Sequence, residues 1–388
     1  MSDGAIDGPR ACTAMDLGPM LAMVNSIFRP DGGQSLFTDY PLVYREANLG
    51  NVHLIRSHGE VVSIVPFIAW PVVHEGCRFR IGVISPTATH PDHRHRGYGL
   101  RCLRSCLARM EQQDVDLSVL WTQVKTFTFY NHAGYQGVRD QGYTFPCSRT
   151  DAALFHHYGE QVVVYDPASQ RYLKQIMQMH EGEPFGFERD VDQTATLLSL
   201  PKLSTLVVLR DGSPNAYLCI SRSTNKPGII EAGGTVEGVE TLVHHALATL
   251  DDDQSILVHT SLCDTALSSV MHGKGADRRG GSGENMMLRI NDAVGFCRKI
   301  APWLERCNSG QDRAFSVGLT DAGQTVCFEV SGDKLKIGTE RRTLHLEMTR
   351  IEFTSAVFGA HPARPFEAPP PLDQIFPFYF PIGVLDRS

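Results

Sequence analysis

The segment from Thr87 to Gly99 combines two glycines and two arginines at short spacing. Gly97 and Gly99 have no side chain, so the backbone N–H groups around them can converge on one ligand. If a helix starts here, its first turn adds unpaired N–H donors and the positive end of the helix dipole. Arg94 and Arg96 add positive charge, and the combination is typical of a pyrophosphate-binding loop. The candidate cofactor-binding residues are Thr87, Ala88, Thr89, Arg94, His95, Arg96, Gly97, Tyr98 and Gly99.

The spacing Arg-x-x-Gly-x-Gly differs from two common nucleotide-binding loops. The Lys-Ser/Thr ending of a Walker loop is missing, and Arg94 stands where a Rossmann fingerprint begins with glycine. A Gly-x-Gly pair alone is a weak signal, so the elements around it decide whether it marks a cofactor-binding loop. They are a strand, the loop, an amphipathic helix and another strand. Phe129-Tyr130-Asn131-His132-Ala133-Gly134-Tyr135 follows.

Apolar patterns in 1–150 predict the elements that position this loop. Leu100, Leu103, Leu107 and Met110 share one face of a helix over 99–112. The other predicted elements are a helix over 15–28, strands over 52–56, 61–69, 80–89 and 115–121, and a short helix over 127–133 that Gly134 ends.

The rest of the chain repeats this kind of outline without the loop. A second block, 151–284, is predicted to hold strands over 161–165, 205–210, 216–221 and 255–259 and a helix over 236–250; its glycine-rich end, 271–284, is a connection or exposed loop. A third block, 285–388, is predicted to hold strands over 286–290, 314–320, 325–330, 334–338 and 344–347 and helices over 292–307 and 350–358. We therefore expect an α+β fold in which mixed sheets are flanked by helices.

The loop and the aromatic segment together resemble the GNAT superfamily of N-acetyltransferases. In that family the loop amides hold the pyrophosphate of coenzyme A, and the tyrosine of the aromatic segment often protonates the departing thiolate. Arg94, Gly97, Gly99 and Tyr130 occupy those positions here. The resemblance thus implies a loop that binds acetyl-coenzyme A and Tyr130 as the catalytic acid. The alternative for Tyr130 is a half-buried aromatic side chain at a helix end.

The order of the three blocks resembles the enhanced intracellular survival (Eis)-like acetyltransferases. This implies a catalytic domain over 1–150, a degenerate GNAT-like domain over 151–284 and a sterol-carrier-protein-like domain over 285–388. The segment 229–236 lacks the Arg and the Gly-x-Gly, so the second domain is not expected to be catalytic. In such proteins the C-terminal carboxylate, here that of Ser388, enters the active site as the proton acceptor. Asp386 is the other candidate, and the alternative to both is that this end of the chain is only surface. The resemblance also implies a homo-oligomer, a trimer or hexamer.

Composition limits the remaining classes of function. The chain has 388 residues and a formal net charge of −7, so no basic field gathers nucleic acid or anionic lipid. Its ten cysteines are scattered without a C-x-x-C pair, which favours reduced thiols in a cytoplasmic protein. His90, His93 and His95 lack the cysteine or carboxylate partners of a metal site, so we expect no metal.

The sequence therefore predicts an acetyl-coenzyme A-dependent N-acetyltransferase. The acceptor is expected to be a primary amine of a small, cationic molecule that attacks directly in a ternary complex. The alternative is a non-catalytic protein that binds a hydrophobic ligand or an acyl-coenzyme A through the sterol-carrier-like domain.

Overall fold

The structure, a computed structural model, describes residues 6–139, 142–222, 227–274, 279–280, 285–307, 312–379, 382 and 385–387. Its helices are α1 (Ala14–Phe28), α2 (Leu36–Asp39), α3 (Pro41–Tyr44), α4 (Tyr98–Gln112), α5 (Phe127–Asn131), α6 (Leu173–Glu181), α7 (Val191–Leu198), α8 (Val236–Ala248), α9 (Ala266–His272), α10 (Ala293–Cys307) and α11 (Arg350–Phe358). Its strands are β1 (Ile6–Ala11), β2 (Val52–Ser57), β3 (Glu60–His74), β4 (Cys77–Ile84), β5 (Ala88–Thr89), β6 (Leu117–Trp121), β7 (Gln136–Gly137), β8 (Gly142–Ser148), β9 (Gln161–Val164), β10 (Phe185–Phe187), β11 (Leu203–Arg210), β12 (Ser213–Ser221), β13 (Gly228–Gly234), β14 (Ser255–Ser261), β15 (Arg279–Gly280), β16 (Met286–Ile290), β17 (Arg313–Leu319), β18 (Gln324–Ser331), β19 (Lys334–Gly338) and β20 (His345–Met348).

The chain divides into two compact units, each described by itself below. Unit 1 comprises Met1–Val72, Gly76–Arg139 and Glu284–Phe378, and unit 2 comprises Val73–Glu75, Asp140–Gly283 and Tyr379–Ser388. The expectation of mixed sheets flanked by helices is confirmed. The division into three domains stays a prediction.

The larger sheet of unit 1 follows the order β1-β2-β3-β4-β6-β16-β7, and β5 pairs with β3. β4 and β6 run parallel, whereas β16 is antiparallel to β6 and β7. The strand expected over 80–89 is wrong as one element. It ends at Ile84, and Ser85, Pro86 and Thr87 separate it from β5, because proline has no N–H for a sheet ladder.

Helix α4 covers one face of this sheet with the apolar stripe seen in the sequence. Leu103, Leu107 and Met110 are buried, together with Cys102 and Cys106. They pack with side chains of β2, β3 and β6, among them Ile55, Val65 and Leu120. Burying such side chains is worth about 1.5–3 kcal/mol each, so this contact fixes where α4 begins.

The C-terminal part of unit 1 forms a four-stranded sheet in the order β19-β18-β17-β20, with β17 and β20 parallel. Helix α10 begins after Asp292, which caps it: its Oδ1 accepts from the Gly295 amide at 3.1 Å. Phe296 of α10 meets Phe79 of β4 edge-on at 5.5 Å. The likeness of this part to sterol carrier proteins stays a prediction.

The sheet of unit 2 follows the order β15-β8-β14-β13-β12-β11-β9, in which β13 and β14 are parallel. Its core lies under α8, where Val239, Leu242, Val243 and Leu247 are buried.

All ten cysteines are free, and Cys307 alone among them is exposed. Among the described residues, no helix is both long and apolar enough to cross a bilayer.

Candidate active site

The candidate site begins where two parallel strands of unit 1 part. β4 and β6 pair at Ile81–Leu117, Gly82–Ser118 and Val83–Val119. Beyond these pairs β4 runs on to Ile84 and β6 to Trp121 without pairing with each other. The chain then turns through Ser85 to Thr87 toward β3. Parted strands leave backbone groups free for a ligand, since their ladder bonds are no longer made.

The chain between β5 and α4 forms the predicted loop. Pro91–His93 makes one 3₁₀ turn, and His95 and Gly97 take left-handed conformations, with φ of 60° and 76°. Helix α4 makes its first hydrogen bond from the Arg101 amide to the Gly97 carbonyl, at 3.0 Å. In the described part of the chain, the amides from Arg96 to Leu100 donate to no acceptor. They are therefore available to an anion at the positive end of the helix dipole.

The two arginines of this loop are exposed and carry no carboxylate partner among the described residues. Arg94 Nε donates to the Thr89 carbonyl at 3.3 Å, and Arg96 Nη2 donates to the Asp92 carbonyl at 3.2 Å. These single bonds leave most guanidinium donors of Arg94 and Arg96 in contact with solvent. Such groups can bind phosphate oxygens in a forked geometry.

Gly99 lies against two neighbours that a larger residue would displace. A Cβ at this position would lie 3.2 Å from Thr89 Oγ1 and 3.3 Å from Phe129 Cζ. Thr89 Oγ1 is in turn 2.9 Å from Ser63 Oγ on β3. The glycine thus lets the first turn of α4 approach both the strand end and α5. Gly97 is different, because a Cβ there would meet nothing within 4 Å and only its positive φ favours glycine.

Tyr130 lies in α5, buried to 9% exposure. Its ring meets Phe129 and Tyr135 edge-on at 4.9 and 6.0 Å. Burial raises the pKa of Tyr130, and the nearby Thr87 side chain acts in the opposite direction. Thr87 Oγ1 makes no well-formed hydrogen bond of its own among the described residues. The structure thus brings Tyr130 to Thr87 at the parting of β4 and β6.

The other predicted loop residues support this arrangement. Tyr98 is buried at the start of α4, its ring stacked on that of His93 at 6.4 Å with Arg101 over it at 5.9 Å. Burial, and then the charge of Arg96, lowers the pKa of His93. This histidine is therefore uncharged at neutral pH and packs beside the loop.

One group of side chains in unit 2 has the composition of a metal site. Ligand atoms of His74, Glu75 and Cys263 lie within 4.8 Å of one another, the only such group among the described residues. It offers three of the four ligands of a structural zinc site, and Glu75 is exposed. His90, His93 and His95 are not in it, and the absence of a metal stays a prediction.

The two C-terminal candidates for the proton acceptor are Ser388 and Asp386. Ser388 lies outside the described residues. Asp386 belongs to unit 2, where it accepts a hydrogen bond from Arg189 at 2.7 Å. Sequence reasoning also missed Phe129 and Ser63 as neighbours of the loop. Phe129 stands beside Tyr130 in the segment already singled out, whereas Ser63 is 26 residues from its partner and has no local signal.

Residues 9–138 match an acetyltransferase (GNAT) domain. This range contains the parting strands, the loop and Tyr130. No curated protein matches the sequence significantly.

Several solved structures share the fold over most of the chain. A probable N-acyltransferase from Enterococcus faecalis V583 is 16% identical, with 92% of this chain and 90% of that chain covered and a TM-score of 0.68. A GCN5-related N-acetyltransferase from Kribbella flavida is 14% identical, with 91% and 88% covered and a TM-score of 0.65. Eis1 from Mycobacterium abscessus is 16% identical, with 80% and 81% covered and a TM-score of 0.53. The domain match and the shared fold support acyl transfer in general and leave the acceptor open.

Proposed function

We propose that this protein transfers the acetyl group of acetyl-coenzyme A to a primary amine of a small, cationic molecule, by direct attack in a ternary complex. The observation that carries the proposal lies within unit 1: Gly99, in the stretch of unpaired amides, approaches Phe129, and the next residue, the buried Tyr130, lies near Thr87, beyond the point where β4 and β6 part. A net charge of −7 favours a cationic acceptor.

The residues of the loop fit the pyrophosphate of coenzyme A. The amides from Arg96 to Leu100 have no acceptor in the described chain, and Arg94 and Arg96 have free guanidinium donors. Acetyl-coenzyme A supplies an activated thioester when it is bound. The loop and both arginines would hold its phosphates through charge-assisted hydrogen bonds.

Tyr130 would act as the acid that protonates the departing sulfur. Because burial raises its pKa, its hydroxyl keeps its proton at neutral pH. A donor in that state can give the proton only as negative charge develops on the sulfur. General acids of this kind contribute roughly 10²–10⁴ in rate.

The amide of Thr87 is the donor we assign to the developing oxyanion. It follows Pro86 at the end of β4 and has no acceptor among the described residues. A donor that is already oriented costs no reorganisation during the reaction, and removal of one such donor commonly costs roughly 10²–10³ in rate.

An attacking amine must lose a proton, since alkylamines are charged at neutral pH. We propose the carboxylate of Ser388 as the acceptor of this proton, as the Eis-like resemblance implies. Adding one alanine after Ser388 would move that carboxylate without changing any other residue. We expect kcat to fall and the Kd for coenzyme A to stay unchanged.

The alternative, a protein that only binds a hydrophobic ligand, has less support in the described residues. A cavity of about 560 Å³ in the C-terminal part of unit 1 is lined by Arg298, Glu305, Glu329, Lys334 and Lys336 beside a few apolar side chains. Five of its nine lining residues are charged, whereas pockets for hydrophobic ligands contain few polar groups. We therefore place the function at the loop and Tyr130.

The test combines purified protein, acetyl-coenzyme A and a panel of polyamines, aminoglycosides, amino acids and peptides. Thiol release and product mass are followed for wild type, Tyr130→Phe and the matched control Tyr158→Phe, whose side chain is exposed in unit 2. We expect amine-dependent thiol release that Tyr130→Phe lowers and Tyr158→Phe does not. Absence of coenzyme A binding to the wild type would refute the enzyme and favour the ligand-binding alternative.

A further inference from the structure

Unit 2 contains a buried cluster of charges that the proposed chemistry does not use. Arg189, between β10 and α7, donates from Nη1 and Nη2 to the two carboxylate oxygens of Glu231 on β13, at 3.0 and 2.6 Å. Its Nε donates to Asp386 Oδ1 at 2.7 Å. The side chains of Arg189 and Asp386 are each 2% exposed, and that of Glu231 is 11% exposed. Asp386 is 197 residues away from Arg189 along the chain, in the turn Leu385–Arg387.

Neighbouring polar groups hold Glu231 rather than Asp386. Tyr217 on β12 donates from its hydroxyl to Glu231 Oε1 at 3.0 Å. His180 on α6 lies 3.3 Å from the same hydroxyl through Nδ1 and 3.0 Å from the Phe187 carbonyl through Nε2. Glu231 therefore accepts hydrogen bonds from two side chains of unit 2, Arg189 and Tyr217. The hydrogen bonds described for the Asp386 side chain come from Arg189.

Two carboxyl groups, those of Glu231 and Asp386, share the guanidinium of Arg189, and Arg387 is a second cation near Asp386. Burial lowers the pKa of His180 to about 4, so this histidine is neutral at pH 7. Burial by itself would raise the pKa of Glu231, but Arg189 lowers it to about 2. Burial, with the charge of Glu231, raises the pKa of Asp386 to about 7 despite the contact with Arg189. Glu231 binds both terminal nitrogens of Arg189 with its two carboxylate oxygens, and Asp386 is the second carboxyl group on the same guanidinium.

We propose that the Arg189–Glu231 pair is a built binding site for the chain's own segment Leu385–Arg387, and that the Asp386 carboxyl group is what it recognises. The Glu231 carboxylate binds the two terminal nitrogens of the Arg189 guanidinium, Nη1 and Nη2. Nε of the same guanidinium donates to Asp386 of the segment. Leu385 is buried beside Asp386, at 2% exposure, so the site binds one polar and one apolar side chain. At Asp386 the segment is held by the guanidinium of Arg189, whose Nε and Nη2 lie 2.7 and 2.6 Å from Oδ1.

The test compares hydrogen exchange of the amides of 385–387 in the full-length chain at pH 6 for wild type, Asp386→Ala and Asp386→Asn. Alanine removes the acceptor for Arg189 Nε, whereas asparagine keeps an oxygen at that position. Loss of one hydrogen bond with a charged donor predicts exchange faster by about 10- to 100-fold in Asp386→Ala. Asp386→Asn should stay within a few-fold of wild type. Asp373→Ala, an exposed carboxylate in the 3₁₀ turn Leu372–Gln374, is the control.

Two outcomes would overturn the proposal. One is unchanged protection of the segment in Asp386→Ala. The other is an equal loss of protection in helix α8, which would show that Asp386 stabilises unit 2 as a whole. Binding of coenzyme A should be the same in all variants, since the loop from Arg94 to Gly99 is intact in each.

A second measurement, the pH dependence of segment binding, follows from the proton on the Asp386 carboxyl group. Asp386 has an ordinary pKa near 4 when the segment is free and about 7 when it is bound, so binding takes up a proton between these values. Binding should therefore weaken as pH rises from 6 to 8, and Asp386→Asn should remove this dependence. The groups that face Asp386 or its partners are Arg189, Glu231, His180, Tyr217 and Arg387. A pH dependence that persists in Asp386→Asn would show that another group takes up the proton and would refute the role of Asp386 in the pH dependence.

The inference also has a consequence for catalysis, which rests on the proposed function. Ser388 follows Asp386 by two residues, so a released segment should lower kcat of Asp386→Ala more than it changes KM for acetyl-coenzyme A. Faster exchange with wild-type kcat would refute the role of the segment in the reaction and leave both its binding site and the transferase activity standing.

Discussion

Substitution of Gly97 by alanine is the sharpest test of the loop as a cofactor site. Gly97 has φ of 76° and ψ of 2°, and an added Cβ would meet no atom within 4 Å. The whole cost is therefore conformational, about 1–2 kcal/mol for an L-residue in the left-handed region. If alanine instead pulls the loop to negative φ, the amides from Arg96 to Leu100 no longer converge. Loss of one charge-assisted hydrogen bond would weaken coenzyme A binding by roughly 10- to 100-fold.

Gly59 provides a matched control in the same unit. It lies in the turn between β2 and β3 with φ of 83°, and an added Cβ there also meets nothing within 4 Å. Both alanine variants should lose about the same free energy of unfolding, measured by urea denaturation. Only Gly97→Ala should raise the Kd for coenzyme A, measured by isothermal titration calorimetry. Equal affinities of Gly97→Ala and Gly59→Ala for coenzyme A, with Gly97→Ala as stable as wild type and its loop therefore moved out of the left-handed conformation, would refute the assignment of the loop.

Four further predictions follow from the same structure. Tyr130→Phe should lower kcat by roughly 10²–10⁴ with little change in the Kd for coenzyme A, as stopped-flow thiol release and calorimetry would show. Arg94→Ala should weaken coenzyme A binding and make it less dependent on salt, whereas Arg104→Ala, an exposed residue of α4, should not. Arg10 holds the pKa of Asp16 well below its usual range, so this carboxylate stabilises the fold above about pH 4 and ceases to do so as pH falls toward its folded-state pKa. Asp16→Asn should therefore lose about 2 kcal/mol in urea unfolding at pH 7, and the difference from wild type should shrink in acid. The Eis-like resemblance predicts a trimer or hexamer by light scattering, and a monomer at micromolar concentration would contradict it.

The loop could be predicted from the sequence because its signals are local. The apolar stripe of Leu103, Leu107 and Met110 requires a helix with one buried face, and that helix begins within one residue of the predicted position. Glycine at 97 satisfies a positive φ that other residues rarely adopt. Tyr130 follows at a fixed distance along the chain, so strand, loop and tyrosine could be read together.

Pairings between distant segments could not be predicted in the same way. The sequence of β16 predicts an ordinary buried strand. No feature of Met286–Ile290 indicates that it pairs with β6, which precedes it by more than 160 residues. β8 likewise pairs with β14 rather than with the strands just before it. The buried pair of Arg189 and Glu231 was missed for a related reason. Arg189 stands between Glu188 and Asp190, which are nearer in the sequence than Glu231, 42 residues away. A buried charge pair of this kind becomes visible only when its partners are brought together in space.

The contrast between the two sheets explains in physical terms why one is assigned the cofactor. Each has a parallel strand pair followed by a helix, β4 and α4 in unit 1 and β13 and α8 in unit 2. In unit 1, residues 90–97 separate β5 from α4 and leave the first amides of the helix unpaired. In unit 2, Thr235 alone joins β13 to α8, and its Oγ1 accepts from the Gly238 amide at 3.1 Å. A capped helix end reached by a one-residue connection has neither the span nor the free donors to surround a pyrophosphate. Lengthening the connection at Thr235 would therefore not suffice to create a second cofactor site, because the capping bond would also have to be removed.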